Sequence, residues 1–197
     1  MALFERTLKI TAETRILDVG GSSAIWDLAR ARPSVVLLNL PSALDRSARA
    51  FPQVAADGLL LPFADQSFDI VFSNSVIEHV GTREQQQQFA DEIRRVGHAY
   101  WVQTPNRRFP IELHLMLPLV HFLPRTWQRA VIYRFTGWEK IVKPSGAERK
   151  FYLEHFLNEL NLLDRRVLRQ LFPEATILGE RILGISKSLI AVRRNCP

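Results

Sequence analysis

Arg15-Ile-Leu-Asp-Val-Gly-Gly-Ser-Ser23 is the stretch whose reading decides the fold. Ile16, Leu17 and Val19 form a short apolar run with two β-branched members, the pattern of a buried strand. Gly20 and Gly21 break it at once, and Ser22 or Ser23 is placed to cap a helix running through Ala24, Ile25, Trp26, Leu28 and Ala29. A strand, a glycine turn and a helix start aim backbone N–H groups at a ligand beyond the edge of a parallel sheet. Asp18 puts a carboxylate just before the turn, which suits a ligand carrying both an anionic group and an ammonium. Many α/β folds need two glycines here for packing alone, so the stretch speaks for a fold class before it speaks for a ligand.

Outward from it the same alternation repeats. Residues 34–40 are apolar almost throughout, as a parallel strand covered on both faces must be. Pro41 and Ser42 start a second helix with Leu44, Ala48 and Phe51 turned inward. Residues 53–56 form a short third strand closed by Asp57-Gly58, and Ile70-Val71-Phe72 a fourth that ends in Ser73-Asn74-Ser75. Thr82 caps a helix over residues 83–96, and residues 98–103 are a fifth strand stopped by Thr104-Pro105-Asn106. This order predicts a doubly wound, Rossmann-like, mostly parallel α/β sheet. Residues 1–14 hold a short leading helix with Leu3, Phe4, Leu8 and Ile10 inward. Residues 107–158 lack strand-like alternation and are read as a helical insertion, a lid over the strand ends that forms the acceptor pocket. Residues 175–178 and 188–192 are two closing strands whose short link makes them antiparallel. The whole chain, 1–197, is read as one domain.

Composition narrows the function classes. The single cysteine, Cys196, excludes an internal disulfide and cysteine-based metal sites, and is read as the mark of a reducing, cytoplasmic setting. The first residues lack a basic region followed by a long apolar core, so no signal peptide is expected. No apolar run approaches the length of a membrane span. The net charge of +6 raises a nucleic acid or an anionic membrane as a partner, but the arginines are spread along the chain without a basic block, so scattered surface charge is the favoured reading and nucleic acid the disfavoured one.

In such a sheet the ligand lies beyond the carboxyl ends of the strands. The residues there (Asp18 to Gly21, Asn39, Asp57-Gly58, Ser73 to Ser75 and Thr104 to Asn106) are nearly all small or polar, which core packing does not require. At this point L-D-V-G-G, followed by A-D-G-L-L-L-P-F-A-D-Q-S-F-D-I-V-F-S-N-S-V-I-E-H-V, resembles the class I S-adenosylmethionine-dependent methyltransferases of the small-molecule type. The resemblance covers residues 16–106, and the antiparallel end pair suits that family's seven-stranded sheet. It implies methyl transfer from S-adenosylmethionine to a small-molecule or a lipid- or sugar-linked acceptor. It also implies roles. Gly20 and Gly21 would lie against the methionine part of the cofactor, and Asp18 would help hold its ammonium. Asp57 would accept from the adenine amine, with the Gly58 or Leu59 N–H meeting a ring nitrogen. Ser73 and Asn74 would line the wall beside the sulfonium.

The chain departs from the family pattern twice. Ser22 and Ala24 stand where two further glycines are usual, and Asn39 stands where an acid usually grips the ribose. An amide oxygen can accept from a hydroxyl but lacks the charge-assisted strength of a carboxylate, a loss of about 1.4 kcal/mol or a factor of ten in affinity. Two alternatives therefore stay open: a catalytically inactive binding module of the same fold, and a nucleic-acid methyltransferase or binder.

For chemistry on the acceptor, Glu78 and His79 follow the fourth strand, and as neighbours they point in different directions, so that one faces the site. Glu112 and His114 would share a face if their stretch is extended, the carboxylate orienting the imidazole as a general base. His121, among Leu119, Val120, Phe122 and Leu123, is read as a packed histidine. No metal site is expected, because no His-Glu-x-x-His or comparable spacing occurs. Residues 113–138 combine Leu, Phe, Trp and Pro with Arg125, Arg129 and Arg134; a packed lid is favoured, with peripheral membrane contact as the second reading.

Overall fold

The computed structural model describes residues 1–44, 50–112, 117–134, 145–146, 160–182 and 184–194. Its strands in chain order are β1 (Arg15–Val19), β2 (Ser34–Asn39), β3 (Gln53–Ala55), β4 (Phe68–Asn74), β5 (Gly97–Pro105), β6 (Ile111–Glu112), β7 (Leu117–Pro118), β8 (Thr176–Ile182) and β9 (Ile185–Arg193). The helices are α1 (Ala2–Leu8), α2 (Ser23–Trp26), α3 (Arg83–Val96), α4 (Arg125–Arg134) and α5 (Arg165–Leu171).

Four of the five residues of β1 are buried, as an apolar run in mid-sheet requires. It pairs in parallel with β2 on one side, Ile16 against Val35, and with β4 on the other, Ile16 against Ile70. The described sheet has seven strands in the order β3-β2-β1-β4-β5-β9-β8, with β9 antiparallel to both neighbours. Strand order reverses between β1 and β4, so a crevice opens beyond their carboxyl ends. This is the doubly wound, Rossmann-like sheet the strand order predicts.

Period-two alternation divides the core between the two faces. Leu17, Val19, Val71 and Tyr100 pack under α3 and α5 with Phe89, Ile93, Leu168 and Phe172. Ile16, Ile70, Phe72 and Trp101 pack on the other face with Phe4 of α1 and Trp26 of α2. There Phe4 meets Phe72, Trp101 and Trp26 edge-on at ring separations of 5.0, 5.5 and 6.1 Å. Helix α3 starts as the sequence predicts: Thr82 and Gln85 form a capping box, each side chain accepting from the other's backbone N–H.

Three expectations change. The first crossover helix is a single turn: Trp26 is drawn into the aromatic cluster, Leu28 is 70% exposed, and Arg32 takes a left-handed φ of 50° before Pro33. Pro41 starts only a 3₁₀ turn, Pro41–Ala43, and Ala48 lies outside the described residues. The 107–158 insertion is not purely helical, since Ile111 and Glu112 pair with Pro118 and Leu117 in a small hairpin before α4.

Candidate functional site

The crevice beyond β1, β2 and β4 is a cavity of about 410 Å³. Four loops supply its wall: Val19-Gly20 after β1, Leu38 to Leu40 after β2, Ala56 to Leu59 after β3, and Ser75 to Gly81 after β4. Its volume lies in the range of small-molecule sites. Among the described lining residues Asp57 is the one carboxylate, and there is no lysine or arginine.

Glycine is required at this wall for space. Gly20 has φ +75°, and a Cβ there would come within 2.5 Å of Val76 Cγ2. At Gly21 a Cβ would lie 1.7 Å from the Asp18 carboxylate, and at Gly58 it would lie 2.7 Å from the Phe89 ring.

Asp18 itself does not line the cavity. Alternation turns it to the face opposite Val19, where it is fully buried and accepts a 2.7 Å hydrogen bond from Trp26 Nε1. Its other carboxylate oxygen has no partner, and burial pushes the carboxyl up to about 7 against the opposing pull of the indole N–H. Ser73 is equally buried, its hydroxyl donating to the Val19 carbonyl at 3.1 Å across the β4–β1 seam. Asn74 is half-buried and lies outside the cavity wall, with its buried Oδ1 unpartnered. The residue of this group that reaches the cavity is Ser75, at φ 58°, its N–H donating to the Gln103 carbonyl. The sequence signal was the small, polar Ser-Asn-Ser end, one residue further on than the two singled out.

Asn39 lines the cavity and is held from the glycine turn: its Nδ2 donates to the Gly21 carbonyl at 2.9 Å. An aspartate there would set a carboxylate against that carbonyl, so the amide fits this turn for a structural reason. Asp57 also lines the cavity, and one of its oxygens accepts from the Leu59 N–H at 2.9 Å in an Asx turn. The following loop is clamped from α3. Glu92 accepts from the Leu61 N–H at 2.7 Å, and Arg95 donates to Glu92, to Asp65 and to the Phe63 and Leu61 carbonyls. The Arg95 guanidinium holds the Glu92 carboxyl below its ordinary value.

The Glu78-His79 pair splits as adjacent residues must. His79 lines the cavity, whereas Glu78 is fully buried and accepts from the Thr104 hydroxyl at 2.9 Å. The 3₁₀ turn Ile77–His79 that carries them is tied down by Asn161, whose N–H donates to the Glu78 carbonyl. Glu112 has its backbone in the β6–β7 hairpin, and His114 lies outside the described residues. His121 packs against Phe122 with ring centres 4.1 Å apart and ring planes tilted by 42°. Gln85 and Gly81 complete the wall, and the Thr82-x-x-Gln85 box was their signal in the sequence.

Among the described residues no group of three or more His, Cys, Asp or Glu side chains converges on a metal position, and no helix is long and apolar enough to cross a membrane.

Residues 17–99 match the family model of a methyltransferase domain. A protein of Pyrococcus horikoshii is similar in fold, with 17% identity over 97% of this chain and 85% of that one and a TM-score of 0.58. A protein of Rhodobacter sphaeroides, named among Zn-dependent alcohol dehydrogenases, is similar at 11% identity, 96% and 86% coverage and a TM-score of 0.62. An S-adenosylmethionine-dependent methyltransferase of Methanosarcina mazei shares 14% identity over 96% of this chain and 94% of its own, with a TM-score of 0.58. At these identities the likeness to each is one of fold. Comparison with curated proteins gives no match.

Proposed function

We propose that the chain, whose residues 17–99 match the family model of a methyltransferase domain, is an S-adenosylmethionine-dependent methyltransferase, that the switch-point cavity holds the cofactor, and that the acceptor is a small molecule or a lipid- or sugar-linked compound. The observation that carries the reading is the wall itself: four loops from neighbouring strand ends enclose about 410 Å³, with Gly20 and Gly58 giving up side-chain volume. A wall with one carboxylate and no lysine or arginine suits a ligand whose sulfonium and ammonium outweigh its carboxylate.

In this reading Asn39 offers its amide oxygen to the ribose, since its amide nitrogen is committed to Gly21. Asp57, prearranged by the Leu59 N–H, accepts from the adenine amine, and Gly58 lets the ring lie close to the backbone. The cofactor, when bound, supplies an electrophilic methyl group on sulfur. The chain's work is to fix the acceptor in line with it and to exclude water. His79 is the side chain on the wall able to take a proton from an acceptor hydroxyl. Glu78 positions His79 through their shared turn, locked by Thr104 and Asn161. Asp18 supports the glycine turn from behind and is structural, not an ammonium ligand. The described part of the 107–158 insertion, residues 107–112 and 117–134, would cover the acceptor side, with Phe109, Val120 and Ile132 buried and Phe122 and Trp127 exposed for an apolar acceptor or a membrane surface.

Calorimetric titration with S-adenosylmethionine and S-adenosylhomocysteine tests it. Micromolar binding that weakens by about tenfold or more in Asp57→Ala is expected. Absence of binding by the folded wild type, or full binding by the variant, would sink the assignment of this cavity.

A further inference from the structure

A second cavity, of about 480 Å³, opens on the same carboxyl edge of the sheet, beyond β5 and β9. Arg108 lines it from the loop after β5, and Arg165, Arg166 and Arg169 line it from α5. No acidic side chain is among its described lining residues.

This concentration is not what a solvated helix needs. Leu168 and Leu171 bury one face of α5 and leave Arg165, Arg166 and Arg169 exposed, where the i,i+4 pair 165/169 and the i,i+3 pair 166/169 set like charges side by side. The first turn of the helix contains no acid and two arginines, against the preference of a helix dipole. Among the described residues Arg166 and Arg169 have no acidic partner, while Asp164 lies 3.7 Å from Arg108 and caps the helix at the Val167 N–H. The frame is fixed. Arg165 donates to the Ile177 carbonyl at 3.1 Å, and Asn106 bridges the Ser186 carbonyl and the Arg108 N–H at 2.8 and 3.1 Å.

We propose that this cleft binds a phosphate or diphosphate group, and that the group belongs to the methyl acceptor. Guanidinium forks match phosphate oxygens two at a time, and four of them exceed what a single carboxylate would neutralise. Naming the ligand as the acceptor rests on the cofactor reading above; the anion site stands without it. The charge that looks scattered in sequence is gathered here by the fold, since Arg108 and Arg165 are far apart along the chain and meet where the end of β5 lies beside the segment leading into α5, at the Asn106–Leu163 bridge.

The test is titration of inorganic diphosphate, at constant ionic strength, into wild type, Arg166→Gln/Arg169→Gln, and Arg6→Gln/Arg30→Gln. The last pair removes the same charge from exposed positions around the opposite face. S-adenosylhomocysteine is titrated into all three, and thermal unfolding confirms that each is folded. Expected are sub-millimolar diphosphate binding by wild type, a loss of roughly tenfold or more in the cleft variant alone, and unchanged S-adenosylhomocysteine affinity. Phosphatidylglycerol vesicles bound with the same arginine dependence would assign the phosphate to a lipid headgroup; diphosphate binding without vesicle binding would assign it to a soluble ligand. Equal losses in both variants, or no diphosphate binding by folded wild type, overturn the proposal. So does tighter, steeply salt-dependent binding of a single-stranded RNA, which would make the surface a nucleic-acid contact. Diphosphate binding without any S-adenosylhomocysteine binding would fail the cofactor reading and leave the anion site standing.

Discussion

Two cavities share one edge of one sheet and are made from different parts of the chain. The one beyond β1, β2 and β4 is walled by backbone, small side chains and a single carboxylate; the one beyond β5 and β9 is walled by four arginines. The first is shaped by what is missing, because added Cβ atoms at Gly20 and Gly58 would meet Val76 and Phe89. The second is shaped by long side chains, three of which stand on a helix anchored through Leu168 and Leu171. On the readings proposed for them the difference is one of recognition: close backbone approach would read the shape of a weakly cationic ligand, whereas guanidinium forks would read the charge of an anionic one.

The comparison can be broken first at Asp18. Its folded carboxyl keeps a proton up to about pH 7, while an unfolded aspartate releases it near 3.8. The folded state then binds more protons in that window, so stability is complete below it and falls as pH rises through it, by roughly 4 kcal/mol in all. Asp18→Asn is expected to flatten this slope in thermal melts and to raise Tm above pH 7, with cofactor affinity changed by less than about threefold. A large loss of affinity with an unchanged pH slope would return Asp18 to the binding site.

Asp57→Ala is next, at about tenfold or more in cofactor affinity. It should leave diphosphate binding intact, as the arginine variants should leave the cofactor intact. Raising the salt concentration by about tenfold sharpens the same contrast: diphosphate affinity should drop severalfold and cofactor affinity should hold. Asn39→Asp tests whether the amide is a weakened ribose acid or a strut for the glycine turn. A strut predicts a loss of about 1–2 kcal/mol of stability in denaturant melts, as the Gly21 carbonyl loses its donor, with no gain in affinity. Smallest is Thr82→Ala, which removes half of the capping box at the start of α3 and should cost about 1 kcal/mol with binding unchanged.

How much was legible varies along the chain. Strands β1, β2 and β4 announce themselves because a strand covered on both faces must be apolar, and α3 because Thr82 marks its cap, to which the structure adds Gln85. The first crossover misled: its apolar residues fit a longer helix, but Trp26 is taken by Phe4 and Phe72 from elsewhere in the chain. At the site, Asn39, Asp57 and Gly58 were found by position at strand ends, whereas Asp18 and Ser73 stand at such ends and turn away. The side to which a residue points depends on register and on which face carries the cavity, and a linear sequence states neither. Glu78 and His79 follow the same rule, separated by a turn that Asn161 ties down from just beyond the 107–158 insertion.

The sequence by itself determined the succession of strands and helices along the chain, the glycine turn and the family resemblance over residues 16–106, because local periodicity and backbone chemistry act between near neighbours. Tertiary structure alone decided that Asp18 is buried against Trp26, that Asn39 braces the glycine turn, and that Arg108 joins the arginines of α5. Each of these depends on residues distant in the chain being brought within a few ångströms, which is the work of sheet pairing and core burial rather than of any local pattern.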